Sequence, residues 1–228
     1  MGSGSEASWI VLVEWLSRLV LLLLVGLSVW SIRLIVECWL FFKTLKSFDG
    51  EALELSTLLQ AEAVRKSGKT STWEESRLVW EKAFQPSSAP AENEVTSPYR
   101  RVFGNTSGLD NPDAFEKVVS SSLLRMRKEW EKSLPVLGTL RSTTPFIGLL
   151  GTVFGIIVSF GTLSSGNSDT FKVMASLAEA LILTAAGLAV AIPAVIANNY
   201  FTRKIIEFSR GIESLKELGM ALRMKDSN

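Results

Sequence analysis

The chain has 228 residues, enough for one substantial domain or a small helical bundle. Its 24 Lys and Arg nearly balance 23 Asp and Glu, so there is no basic excess of the kind that nucleic-acid binding needs. It has no His and one Cys, Cys38, which excludes a His/Cys metal site, an intrachain disulfide and a His-based general base or triad. Carboxylate-only chemistry stays open. The mean hydropathy is positive although charged residues make up 21%. The apolar residues must therefore be blocked into segments with the charges between them.

Residues 1–11 carry no Lys or Arg, and fourteen uncharged residues, LVLLLLVGLSVWSI, lie between Arg18 and Arg33. With its flanks, Leu12 to Leu34 is long enough to span a bilayer, with Arg18 snorkelling to the near interface and Trp9, Trp15, Trp30 and Trp39 in aromatic belts. A cleaved signal peptide fits poorly: no basic region precedes the run and no A-x-A site follows it. We take 1–11 as an external N-terminus and 12–37 as the first span.

From 38 to 133 the composition changes. Fourteen Lys/Arg and fourteen Asp/Glu fall between Cys38 and Lys132, as expected of a soluble, helical segment. Thr72 and Glu75 form a T-x-x-E capping box before WEESRLVWEKAF, and PSSAPAENEVTSP reads as a linker. Asn111 followed by Pro112 predicts an N-cap with proline at the first helical position, opening a helix that runs towards the next apolar block. Pro135 and Pro145 should interrupt and bend it.

The second span is placed at 134–162, with a polar turn at 163–172. The third, at 173–202, has a single formal charge, Glu179. A carboxyl group inside a span costs roughly 2.5–3.5 kcal/mol near the bilayer centre, so an intramembrane acid is by default a functional residue. A purely structural hydrogen-bonding role is its plainer alternative. Thr152 and Thr184 lie within the second and third spans; their hydroxyls either bond back to their own helices or line a wet path. Gly148, Gly151 and Gly155 in GLLGTVFG, with Gly187 in an Ala-rich third span, predict close helix packing, both within the chain and between subunits. Pro145 and Pro193 are expected to kink their helices. Residues 203–228 continue as an amphipathic helix. The Lys/Arg of 38–132 and the six of the tail put both on the cytoplasmic side.

At these residues the sequence resembles the TolQ/ExbB/MotA proton-channel family, and its TolQ/ExbB branch more than the four-span MotA type. TTPFIGLLGTVFGIIVSF is similar to the family's second-span motif, a proline followed by G-L-x-G-T-V-x-G, and LAEALILTAAGLAVAIPAVIANNYF to its third-span motif. Arg141 departs from it, standing where the family usually has small or neutral residues. The resemblance implies an all-α membrane protein of three transmembrane helices with long cytoplasmic helical extensions, assembled as a pentamer around a pore in the bacterial inner membrane. It implies a single-span TolR/ExbD-type partner in that pore and, beyond it, a TonB/TolA-type or gliding envelope protein. Thr152, Glu179 and Thr184 would then belong to the ion pathway. The function expected is that of a stator subunit turning proton motive force into work on the envelope, as in Tol-Pal maintenance, TonB-type import or gliding motility. No metal, cofactor or nucleic acid is expected. The main alternative is a non-conducting scaffold that anchors a partner complex. A transporter with its own substrate site would want broken, repeated helices, and an enzyme a nucleophile–base pair; neither is visible.

Overall fold

The structure is a computed structural model describing residues 3–45, 48, 50–67, 73–84, 97–104, 106, 108–164 and 170–224. Among these the chain is all-helical. Its elements are α1 (Ser3–Leu45), α2 (Glu51–Ser67), α3 (Trp73–Phe84), α4 (Pro98–Phe103), α5 (Pro112–Trp130), α6 (Leu134–Ser164) and α7 (Thr170–Met224). Three stretches, Val11–Lys43, Leu134–Ser164 and Thr170–Arg223, are long and apolar enough to cross a membrane. At about 1.5 Å per residue a ~30 Å hydrocarbon core takes some 20 residues. α7, with 55 residues, must therefore continue well beyond it.

The chain divides into two compact units. The first comprises residues 1–38 and 133–200, and thus most of α1, all of α6 and the first part of α7. The face of α1 that is buried here carries Ser17, Val20, Leu24, Ser31, Leu34 and Cys38. These steps of three, four and seven residues make the narrow seam of coiled-coil-like packing. Val20 and Leu24 close a small core with Leu183 of α7, against which Ile147 and Phe154 of α6 also pack. The opposite face of α1 presents Trp15, Leu22, Val25 and Val29 outwards, as a lipid-facing helix would. Arg18, expected to reach for the interface, pairs with Glu14 at 2.8 Å.

The second unit comprises 39–132 and the rest of α7. Its core is aromatic: Trp80 and Phe84 of α3, Phe103 of α4 and Phe115 of α5 are buried, with ring centroids 4.7 to 6.3 Å apart. The last turns of α7 belong to this core. A Cβ at Gly219 would sit 2.7 Å from both Phe115 and Trp80, so only glycine lets the helix approach the rings. Four residues on, Arg223 is buried among them. Its guanidinium lies 3.8 Å from the Phe115 ring centre and donates to the carbonyls of Leu109, Gly219 and Thr106 at 2.7, 2.9 and 3.0 Å. Burial pushes the guanidinium down to about 10, against the opposing charge of Asp110, so it remains cationic at neutral pH.

The expected cap of α5 is present: Asn111 Oδ1 accepts from the amides of Asp113 and Ala114 at 2.9 and 3.4 Å. The helix after it ends sooner than the sequence suggested. A turn at 131–133 separates α5 from α6, and Pro135 falls in the first turn of α6, where its missing N–H matters little. Pro145 and Pro193 lie inside helices that continue through them. Each withholds one amide, from the carbonyls of Arg141 and Ala189 respectively. Thr72 and the linker at 85–96 lie outside the described residues, as does the side chain of Glu75.

The glycine-packed helix pair and its hydroxyls

α6 and α7 run antiparallel in contact along a seam of small residues. On α6 the buried positions include Thr144, Gly148, Gly151, Gly155 and Ser159; on α7 they include Ala180, Leu183, Gly187, Val190 and Ala194. Both sets step by three and four residues, the spacing of one helix face. The approach is close enough that side chains are excluded. A Cβ on Gly148 would stand 2.9 Å from the carbonyl oxygen of Leu183 and 3.2 Å from Cα of Gly187. One on Gly187 would stand 2.7 Å from the carbonyl of Thr144. Gly151 faces the Leu183 side chain at 2.9 Å, and a Cβ on Gly155 would overlap Ala180. All four glycines singled out in the sequence therefore serve one interface inside a single chain. Without a hydrophobic drive between helices in lipid, such backbone-to-backbone packing is what holds spans together.

The candidate pathway residues take three different positions. Thr184, half-buried, donates its hydroxyl across the seam to the carbonyl of Gly148 at 3.1 Å. Thr152, also half-buried, bonds back to the carbonyl of Leu149 in its own helix at 2.7 Å. Glu179 is exposed on α7, one residue before Ala180, with no hydrogen bond or ion pair among the described residues. The structure thus joins Thr184 to the glycine seam and leaves the Glu179 carboxylate on the outside of the helix pair. Pro145 and Pro193 flank the seam on their respective helices, next to Thr144 and Ala194.

Three polar positions were not anticipated. Ser159 and Ser176 meet through their hydroxyls: one donates to the other, and the accepting hydroxyl keeps its own proton for its helix, where the carbonyls of Gly155 and Val173 lie within reach of Ser159 and Ser176 respectively. Thr144 is fully buried and bonds to the carbonyl of Leu140. The signal was there for the two serines: Ser159 continues the Gly148–Gly155 stripe by four residues, and Ser176 precedes Ala180 by four.

Three apolar helices, two of them locked by glycine and decorated with satisfied hydroxyls, define a membrane protein whose spans are built for helix-to-helix contact. A family model for the MotA/TolQ/ExbB proton channel family matches residues 90–214, more than half of the chain. The chain belongs to that family. It is 45% identical over 101 residues to the Tol-Pal system protein TolQ of Pseudomonas aeruginosa, covering 42% of this chain and 44% of that one. It is 33% identical over 132 residues to the biopolymer transport protein ExbB of Xanthomonas campestris, covering 52% and 51%. A putative biopolymer transport protein ExbB-like 2 of Helicobacter pylori is 47% identical over 74 residues, 32% of this chain and 49% of the relative. The matches span about half the length of these relatives.

Proposed function

We propose that this protein is the channel-forming stator subunit of a proton-motive-force-driven envelope machine, acting with a TolR/ExbD-type single-span partner. The observation that carries the reading is the glycine seam of α6 and α7, which lies within the part of the chain the family model matches. It brings a hydroxyl, Thr184, to a helix contact and leaves an acid, Glu179, free on the same helix. In the assembly, copies of this pair surround a pore, five by analogy with the family. Thr152, Glu179 and Thr184 face the path or the partner helix there. The exposed apolar side chains of α6 and α7, among them Phe146, Phe160, Leu181 and Ile196, are the surface that lipid and neighbouring copies cover. Pro145 and Pro193, each withholding one amide from its helix, give α6 and α7 the places to bend that would set the width of the pore.

Our topology places 1–11 outside the inner membrane, spans at 12–37, 134–162 and 173–202, and segments 38–133 and 203–228 in the cytoplasm, with 163–172 outside. Cys38 is buried, so its silence towards a thiol reagent would not report its side. Single cysteines at Phe171 and Glu207, both exposed, in a Cys38→Ser background serve instead. An impermeant maleimide on intact cells should mark position 171 and spare 207; the reverse pattern refutes the orientation. The function is tested by proton flux into liposomes bearing the chain with and without its partner. Flux only with both present supports a stator. No flux in either case, with assembly intact, leaves the non-conducting scaffold.

A further inference from the structure

Within the first unit an open apolar furrow of about 520 Å³ runs between α1 and α6. Leu23 and Trp30 bound one wall; Pro135, Thr139, Thr143 and Ile147 bound the other. The two threonines add no free donor to it. Thr139 gives its hydroxyl to the carbonyl of Pro135 at 3.0 Å, and Thr143 to that of Thr139 at 2.8 Å. From Pro135 to Ile147 the wall is about 18 Å long at 1.5 Å per residue, close to the depth of one leaflet, half of a ~30 Å core. The α1 face that lines the furrow, Leu23–Leu27–Trp30, continues in helical register to Arg33 and then Glu37. These two pair through Arg33 Nε at 2.9 Å, both largely exposed, and the terminal nitrogens of Arg33 have no partner among the described residues.

The order along that face is therefore apolar slot, indole, cation, carboxylate. A glycerophospholipid with a primary-amine headgroup has the complementary order: acyl chain, interfacial glycerol, phosphate, ammonium. We infer that the furrow holds one acyl chain of an aminophospholipid such as phosphatidylethanolamine, with its phosphate on Arg33 and its ammonium on Glu37. The guanidinium takes the phosphate through its open nitrogens in charge-assisted hydrogen bonds. An exposed i,i+4 ion pair is weak enough to admit both headgroup charges. This rests on α1 and α6 lying in the membrane and not on proton conduction.

The test is native mass spectrometry of the purified full chain, in whatever oligomer it forms. The protein is equilibrated with equal amounts of phosphatidylethanolamine, phosphatidylglycerol and phosphatidylcholine of identical acyl chains. Retained phosphatidylethanolamine should exceed phosphatidylcholine roughly three- to fivefold, the scale of one exposed charge-assisted hydrogen bond, because the trimethylated headgroup keeps its charge but has no N–H to donate to Glu37. Leu27→Trp, which fills the slot, should lower all adducts. Glu37→Gln, on an exposed surface, should abolish the preference for phosphatidylethanolamine over phosphatidylcholine, while adducts of phosphatidylglycerol, which has no ammonium to place on Glu37, should not fall. Equal retention of the three lipids by the unaltered protein would overturn the inference. So would undiminished adducts in a folded Leu27→Trp variant, or efficient disulfide trapping between copies at Thr139→Cys, which would place a neighbouring subunit in the furrow.

Discussion

Gly187→Ala offers the sharpest test of the α6–α7 seam. The added methyl carbon would lie 2.7 Å from the carbonyl oxygen of Thr144, 3.0 Å from Cα of Gly148 and 3.2 Å from its nitrogen. Every one of these atoms is backbone, so no rotamer change relieves the contact, and the helices must separate by about 0.5–1 Å to restore ordinary van der Waals distances. Overpacking of this kind costs typically ~1–3 kcal/mol. Alanine also favours the helix over glycine by about 1 kcal/mol, which works in the opposite direction. Gly138→Ala separates the two effects. It lies on α6, the other helix of the pair, and its Cβ would meet nothing closer than Asn198 Oδ1 at 3.8 Å. Both substitutions gain helix propensity, but only one strains the seam. Gly187→Ala should therefore melt below Gly138→Ala by ~1–3 kcal/mol, roughly 2–12 °C for a chain of this size. Thermal unfolding of the detergent-solubilised protein, followed by circular dichroism, measures the difference. If Gly187→Ala melts at or above Gly138→Ala, the backbone contact is not what holds α6 to α7.

Thr184→Val removes the cross-seam hydrogen bond and should cost about 1 kcal/mol of stability, while Thr152→Val, losing only a bond to its own helix, should cost less. If both hydroxyls serve the pathway, each variant assembles normally yet loses most proton flux; a fully active double variant returns both to a local structural role. Glu179→Gln should be inactive but assembled and Glu179→Asp partly active in an energised-membrane assay, because a neutral amide would suffice if bonding were the whole task; full activity of Gln would leave Thr152 and Thr184 as this chain's pore candidates. Arg223→Ala strips donors from three carbonyls and should destabilise the second unit by ~2–4 kcal/mol, seen as faster limited proteolysis around 104–111. The guanidinium value of about 10 lies below the ordinary 12.5, so its burial penalty lifts only above about pH 10. The Arg223→Ala loss should thus be the same at pH 6 and pH 8.5, and a marked change across that interval would mean another group titrates with it.

Features set by neighbours in the chain were legible in advance. The Asn111 cap needs only the next three residues, and the glycine stripe shows itself by spacing alone. Which surface the glycines meet was less so: the expectation was close helix packing within the chain and between subunits as well, and within the chain all four meet at the α6–α7 seam. The second unit's core was not legible. Arg223 reaches the carbonyl of Thr106 across 117 positions, and Trp80 donates its indole N–H to the Thr106 hydroxyl across 26. A cation in a polar tail carries no local sign that it will be buried among aromatic rings. The exposure of Glu179 was hidden for the opposite reason. An acid in an apolar run announces a role, but its direction depends on which face the small residues Ala180 and Gly187 claim.

The two kinds of contact in the seam have different genetic consequences. Gly151 abuts the Leu183 side chain, so a larger residue at 151 can be offset by trimming Leu183, and such pairs should emerge together as second-site suppressors. Gly148 and Gly187 abut main-chain atoms that no codon change can shrink. A lesion at either should be recoverable only by reversion or by substitutions elsewhere that let a whole helix slide. Along one seam, then, some positions can drift in concert with a partner and others must stay as they are.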